Sequence, residues 1–328
     1  MTPIVDINET SWFRQDSSLM EILLKDHTTH KNIFWATDSY VSKGEGYEFH
    51  DEITIERITS DNEGLIRPRC VKSKDEQMQR TKEKAEVFTP SWLCNKQNNL
   101  VDNEWFGRED VFNTEIDEEK THTWVPTKGK ILFSKDITWQ EYIRATRMEI
   151  TCGEAPYLAS RYDTITGNYI PIENRIGLLD RKLRVVGENT ETKDEWLKMA
   201  ILSYQNIYGF EWQGDNILLA RESLLMTFIE FYQAKFNETP PHDALKQIAL
   251  IISWNIWQMD GLKMVVPMSC HEIKDTQTSF FDVMPQKPKP CPGCKNNDIF
   301  RHNGIYCDIM DWEAGHTIKF YTLIHESK

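Results

Sequence analysis

Between Thr192 and Asn206, apolar side chains fall at Trp196, Leu197, Ala200, Ile201 and Tyr204. That spacing lines one face of an amphipathic helix. Similar reasoning predicts helices over Ser18–Lys25, over the charged run Ser73–Glu86, over Thr138–Met148 and over Asp215–Phe236. Thr89 followed by Pro90 reads as a helix N-cap with proline at the first helical position. Alternation around Glu52–Ile58 predicts a strand, and residues 102–136 read as polar, acidic and loop-rich. Arg161–Arg175 reads as loop or hairpin around the turn residues Thr166, Gly167 and Asn168, and Ile176–Val186 is both basic and apolar.

Three apolar runs end near an acid. One enters the turn in Glu149–Leu158 (EITCGEAPYL), one is Ile207–Trp212, and one is Ile252–Met259. With helices between them, they predict βαβ units and an α/β fold whose parallel sheet has right-handed crossovers. The C-terminal ends of such strands face one crevice, where ligands bind. Gly153 in the first turn lets the backbone approach a small ligand. Taken singly, a strand-end acid is more often a turn or cap residue than a ligand; the ordered set is the signal.

The 328 residues are 40% hydrophobic and 11% aromatic, with 11 Trp, which is ample for a packed core. No apolar run nears the ~20 residues of a membrane span, and the N-terminus lacks a signal-peptide pattern. A cytoplasmic protein with no membrane contact is expected, its seven cysteines reduced, metal-bound or buried. A net charge of −13 excludes a general nucleic-acid binder acting alone and leaves room for a basic partner.

From Glu86 to Leu262 the order Glu-Val-Phe-Thr-Pro (86–90), TCGEAPYL, QGDN and SWNIWQMDGL resembles the S-adenosylmethionine (SAM)-dependent DNA adenine-N6 methyltransferases. The whole chain is similar to methylase (M) subunits of bacterial restriction–modification systems. The resemblance implies a partial Rossmann-like SAM-methyltransferase sheet. It divides the chain into an N-terminal α+β extension (1–85), a SAM-binding domain (86–265) and a small C-terminal module (266–328). The implied SAM site comprises Phe88, Thr89, Pro90, Glu149, Cys152, Gly153, Ala155, Tyr157, Glu211, Trp212, Asp260 and Gly261. By the resemblance, the segment 86–90 borders the methionine end, and Glu149 is the acid that attracts the cationic cofactor. Glu211 would accept from the ribose hydroxyls, Trp212 would flank the adenine, and Asp260 would accept from the adenine amino group. Ala155 stands where the family has a second glycine.

One departure changes the expected function. Enzymes of this kind hold the flipped base with an Asn/Asp-Pro-Pro-Tyr/Phe tetrapeptide. The only Pro-Pro here, Pro240-Pro241, precedes the third strand and is followed by His242. Little chain follows Leu262 from which strands four to seven could be built. The expectation is therefore a SAM-binding subunit that is inactive alone. A partner chain would supply the Asn-Pro-Pro-Tyr motif and contact double-stranded DNA through a heteromeric complex. The alternative is a catalytically inactive module that senses SAM or scaffolds a restriction complex. A nuclease role has no supporting motif.

At the C-terminus, Cys291-Pro292-Gly293-Cys294 forms a Cys-x2-Cys knuckle, with His302 and Cys307 following. Those four can close a tetrahedral structural zinc site. Cys270-His271 competes for a place, and reduced buried thiols are the alternative. Asp308–Phe320 reads as a closing hairpin of a zinc-ribbon-like module.

Overall fold

A computed structural model describes residues 9–84, 86–118, 121–273 and 288–326. Residues 1–8, where a signal peptide was sought, and Pro285–Lys287 of the Pro-rich run lie outside the described residues.

The chain opens with helices α1 (Glu9–Leu24), α2 (Ile55–Ile58), α3 (Lys74–Lys84) and α4 (Ser91–Phe106). An antiparallel hairpin follows, β1 (Asn113–Glu118) and β2 (Thr121–Pro126). Then come α5 (Trp139–Arg144), β3 (Arg147–Glu149), α6 (Leu178–Asn189), α7 (Lys193–Gln205), β4 (Ile207–Glu211), α8 (Gly214–Phe236), α9 (His242–Asn255) and β5 (Ile256–Gln258). The C-terminal lobe holds α10 (Pro292–Asn296), the hairpin β6 (Asp308–Asp311) and β7 (His316–Lys319), and α11 (Leu323–Glu326).

The fold is mixed α/β, and its centre is a parallel three-stranded sheet ordered β3-β4-β5. Register partners across it share a face, so Met148 and Tyr208 lie with Phe210 and Trp257 on one side. Glu149, Gly209 and Ile256 lie on the other. Ile207 and Ile256 join the main core with Leu183, Ile217, Leu224, Phe228 and Ile252 of the helices. Phe210 and Trp257 join a second core with Val266, Cys307, Ile309 and Phe320 of the C-terminal lobe.

Buried arginines tie these layers together. Arg221 of α8 donates to the carbonyls of Ser253 and Ile256, and to those of Leu23 and Lys25 at the end of α1. Burial lowers its pKa to about 10. Arg181 of α6 pairs with Asp102 of α4 at 2.6 Å and donates to Asn95 and Asn99. Each guanidinium donates to several buried acceptors.

Several expectations are corrected. Glu52–Ile58 is not a strand: Glu52 makes one bridge to Phe34 and α2 follows. Pro90 is itself the N-cap of α4, and Asp163 Oδ2 accepts from the Ser91 N–H at 2.7 Å. Within 102–136 sits the β1–β2 hairpin. The helix expected over Thr138–Met148 ends at Arg144, and β3 occupies its last turn. The strand expected from Ile252 begins only at Ile256, because α9 runs to Asn255. The C-terminal lobe shares the second core with the sheet. No helix among the described residues is long and apolar enough to cross a membrane.

Candidate cofactor cavity and candidate metal centre

A cavity of about 830 Å³ opens at the C-terminal ends of β3, β4 and β5. That volume falls within the range of small-molecule and cofactor sites. The turn after β3, the turn after β4, the turn after β5 and residues 86–89 ahead of α4 all contribute to its walls. Of the residues named from the sequence, Phe88, Thr89, Glu149, Cys152, Gly153, Tyr157, Glu211, Trp212, Asp260 and Gly261 line it. Pro90 and Ala155 do not. Pro90 is committed to capping α4, and Ala155 is fully buried in the main core.

The first turn is held by the acids around it. Thr151, Gly153 and Ala155 have φ of 48°, 54° and 60°. Two of these three left-handed positions are not glycine, and strain of this kind persists only where surrounding contacts impose it. Here Glu211 Oε2 accepts from the Gly153 N–H at 3.0 Å, and Glu149 Oε2 accepts from the Leu158 N–H at 3.2 Å. Glu211 Oε1 also accepts from the Trp212 N–H at 2.8 Å and the Gln213 N–H at 3.3 Å. Three donors leave the Glu211 carboxylate room for about one more.

Burial pushes the Glu149 carboxyl well above its ordinary value; N–H donors from Tyr157 and Leu158 oppose the shift and the Glu211 charge adds to it. Glu211 is raised for the same reason, against three N–H donors. Asp260 is tied to Lys263 Nζ at 3.0 Å and accepts from the Leu262 N–H at 3.1 Å. Four acids line the cavity, Glu86 ion-paired with Arg80 and Arg69, Asp260 with Lys263, and Glu149 and Glu211 held by backbone N–H groups. That balance suits a ligand carrying positive charge and hydrogen-bond donors. Cys152 is buried with its pKa raised by desolvation, which disfavours a reactive thiolate, and it packs in the main core. Trp212 is fixed by a 3.1 Å hydrogen bond from its indole N–H to the Ala36 carbonyl. The mouth is apolar: Val87, Ile150 and Leu262 are 76%, 65% and 86% exposed there.

The second candidate centre lies in the C-terminal lobe. Cys270, Cys291, Cys294 and His302 bring their ligand atoms within 4.8 Å of one another. The thiol sulfurs of Cys270, Cys291 and Cys294 lie 3.5, 3.6 and 3.6 Å from His302 Nδ1. Zinc bonds of ~2.3 Å to sulfur and ~2.0 Å to nitrogen, at a tetrahedral angle, set sulfur and nitrogen ~3.5 Å apart. The four side chains therefore fit a metal ion such as zinc, with all four positions taken by protein.

Local geometry supports the cluster. A Cβ on Gly293 would sit 2.6 Å from His302 Nδ1, so only glycine lets the knuckle close on the imidazole. The Asn303 N–H donates to Cys291 Sγ at 3.2 Å. Burial works against the Cys291 thiolate, but the Cys294 and Asn303 N–H groups and the His302 ring bring its pKa down to about 6. Cys270 is driven up to about 12 by burial and by its thiol neighbours.

Cys307 is not a ligand. Its side chain is fully buried between the lobe and the sheet, with its thiol directed to the Gln258 carbonyl at 3.5 Å. Cys270, noted in the sequence only as a competitor, takes the fourth position. The sequence reading also passed over Gln213, Asn216 and Lys263 of the cavity wall. Gln213 and Asn216 belong to the QGDN stretch, and Lys263 follows Asp260 by three, so each had a visible signal.

Compared with models of known protein families, with curated proteins and with solved structures, the chain matches none.

Proposed function

We propose that this chain is the SAM-binding subunit of a DNA adenine-N6 methyltransferase of a restriction–modification or related defence system, with a Rossmann-like methyltransferase sheet completed by a partner chain. The observation that carries the reading is convergence. An acid at or just beyond each of three consecutive parallel strands, Glu149, Glu211 and Asp260, reaches one cavity, and the 86–89 segment closes its side. This is the arrangement the sequence resemblance implies, and the acidic lining suits a sulfonium and an ammonium on one nucleoside. Bound there, SAM would supply an electrophilic methyl group. Glu211 and Asp260 would orient its adenosine by accepting hydrogen bonds, and the apolar mouth would shield the methyl end from water.

The base-holding tetrapeptide is absent from the 328 residues, and Pro241 of the only Pro-Pro pair serves as the N-cap of α9. That observation supports the division of labour with a partner. It equally supports the second reading, a SAM-sensing or scaffolding module without transfer chemistry. Labelled SAM and mixed-sequence duplex DNA separate the two. Transfer by the chain only when a subunit carrying Asn-Pro-Pro-Tyr is added supports the first. SAM binding without transfer under any pairing supports the second, and robust transfer by the chain alone contradicts both. The Cys270–Cys291–Cys294–His302 centre is proposed to hold one structural zinc, which pins the lobe beside the sheet.

A further inference from the structure

The QGDN stretch at the start of α8 is where the N-terminal extension joins the cavity. Arg80 of α3 is buried and reaches three of its neighbours there. It pairs with Glu86 Oε2 at 2.6 Å and with Asp215 Oδ2 at 2.9 Å, and its Nη2 donates to Gln213 Oε1 at 3.1 Å. Tyr40 O–H donates to the same Asp215 oxygen at 2.7 Å. Arg80 is thus fully committed to protein acceptors.

Asn216 stands next to this network and lines the cavity with only 1% of its surface exposed. Its Nδ2 donates to Glu86 Oε2 at 3.4 Å, which fixes the amide orientation, because a carboxylate can only accept. Its Oδ1 is then a buried acceptor with no partner among the described residues. Glu86 Oε1 is ion-paired with Arg69 Nη1 at 3.4 Å. Buried acceptors are normally paired, so the unpartnered Asn216 Oδ1 at the cavity wall points to an incoming donor.

We infer that Asn216 Oδ1, beside the Glu86 carboxylate that Arg80 holds in place, forms a subsite for a primary ammonium group. The inference rests on the reading of the cavity as a SAM site and deepens it: the subsite takes the α-ammonium of the amino-acid end. An ammonium has three donors and a positive charge, which matches a neutral carbonyl acceptor beside a carboxylate. The extension before residue 86 is then part of the binding site, because Arg80 sets where Glu86 stands. Arg80 is a positioning residue and does not itself meet the ligand.

The test is calorimetric titration of the metal-loaded full chain with SAM, with its des-amino analogue and with 5′-methylthioadenosine, which lacks the whole amino-acid end. The wild-type chain is expected to bind SAM ~10-fold or more tighter than the des-amino analogue, the loss typical of a charged hydrogen bond. Asn216→Ala is expected to weaken SAM by a similar factor and to leave the des-amino analogue unchanged. Equal wild-type affinity for SAM and the des-amino analogue overturns the inference, even if the variant fails to fold. So does an Asn216→Ala variant that weakens all three ligands alike. Binding of none of the three overturns the cavity reading as well, which separates that failure from one confined to the subsite.

Discussion

The cavity and the cysteine–histidine centre confront the same problem, charge-bearing groups taken out of water, and solve it differently. At the cavity, Glu149 and Glu211 are buried against backbone N–H groups, so the protein itself partly satisfies them. In the lobe, three thiols and an imidazole nitrogen crowd one point with the Asn303 and Cys294 N–H groups near only one sulfur. The first arrangement is held by the chain's own N–H groups and leaves room for a ligand. The second gathers three thiols and an imidazole around one point, with Lys263 as a nearby protein cation, and suits a metal ion. The candidate cofactor cavity and the candidate metal centre differ here in where the compensation comes from.

The sharpest way to break this contrast is to remove the lobe's metal ligands one at a time. Purified without chelator, the chain is expected to carry one equivalent of zinc by elemental analysis. Cys270→Ala is expected to lose it and to unfold the lobe, because structural zinc contributes on the order of 10 kcal/mol to small metal domains. Cys307→Ala is expected to keep the metal while losing ~1–3 kcal/mol from the core it fills. Metal lost with Cys307 and retained without Cys270 would reverse the ligand assignment.

At the cavity the expected effects are smaller. Glu211→Ala combined with Asp260→Ala should abolish measurable SAM binding, each truncation removing an acceptor worth ~1–3 kcal/mol. A folded double variant with unchanged SAM affinity would contradict the assignment.

How legible these sites were differs for a physical reason. The cavity acids could be read because parallel strands separated by helices bring their C-terminal ends together whatever the loops do. Glu149, Glu211 and Asp260 needed only their order. The metal ligands needed a tertiary fact. Cys307 follows His302 at a plausible spacing, but it leads into β6, whose register turns it toward Phe210 and Trp257. Cys270 lies 21 positions before Cys291, too far for spacing to argue its case. The β1–β2 hairpin was missed because Asn113–Glu118 is polar and largely uncovered, so no apolar alternation marks it. The α9–β5 boundary was missed because the buried Ile251, Ile252, Ile256 and Trp257 keep the stretch apolar enough for either element.

pH sharpens the comparison further. Glu149 and Glu211 have carboxyls raised above their ordinary value of 4.5. The unfolded chain therefore ionises first as pH rises. The contribution of Glu149 and Glu211 to native stability should fall from about pH 4.5 upward, until the native groups also ionise, against the opposite contribution of the buried His27. Glu149→Gln, which keeps an acceptor for the Leu158 N–H, is expected to flatten that fall in thermal melts across pH 4 to 8. A wild-type profile that rises through this window while the variant's does not would contradict the raised carboxyl. The smallest effect belongs to the rim. Leu262→Ser, at an 86% exposed position, should change stability by less than about 0.5 kcal/mol in a denaturant melt.

The central claim is that one cavity at three parallel strand ends holds SAM. Isothermal titration of SAM into the metal-loaded chain tests it most directly. One site per chain, lost in the Glu211→Ala, Asp260→Ala double variant, is the expected result. A folded, metal-loaded chain that gives no binding heat at any temperature tried, and no thermal stabilisation by SAM, would contradict it.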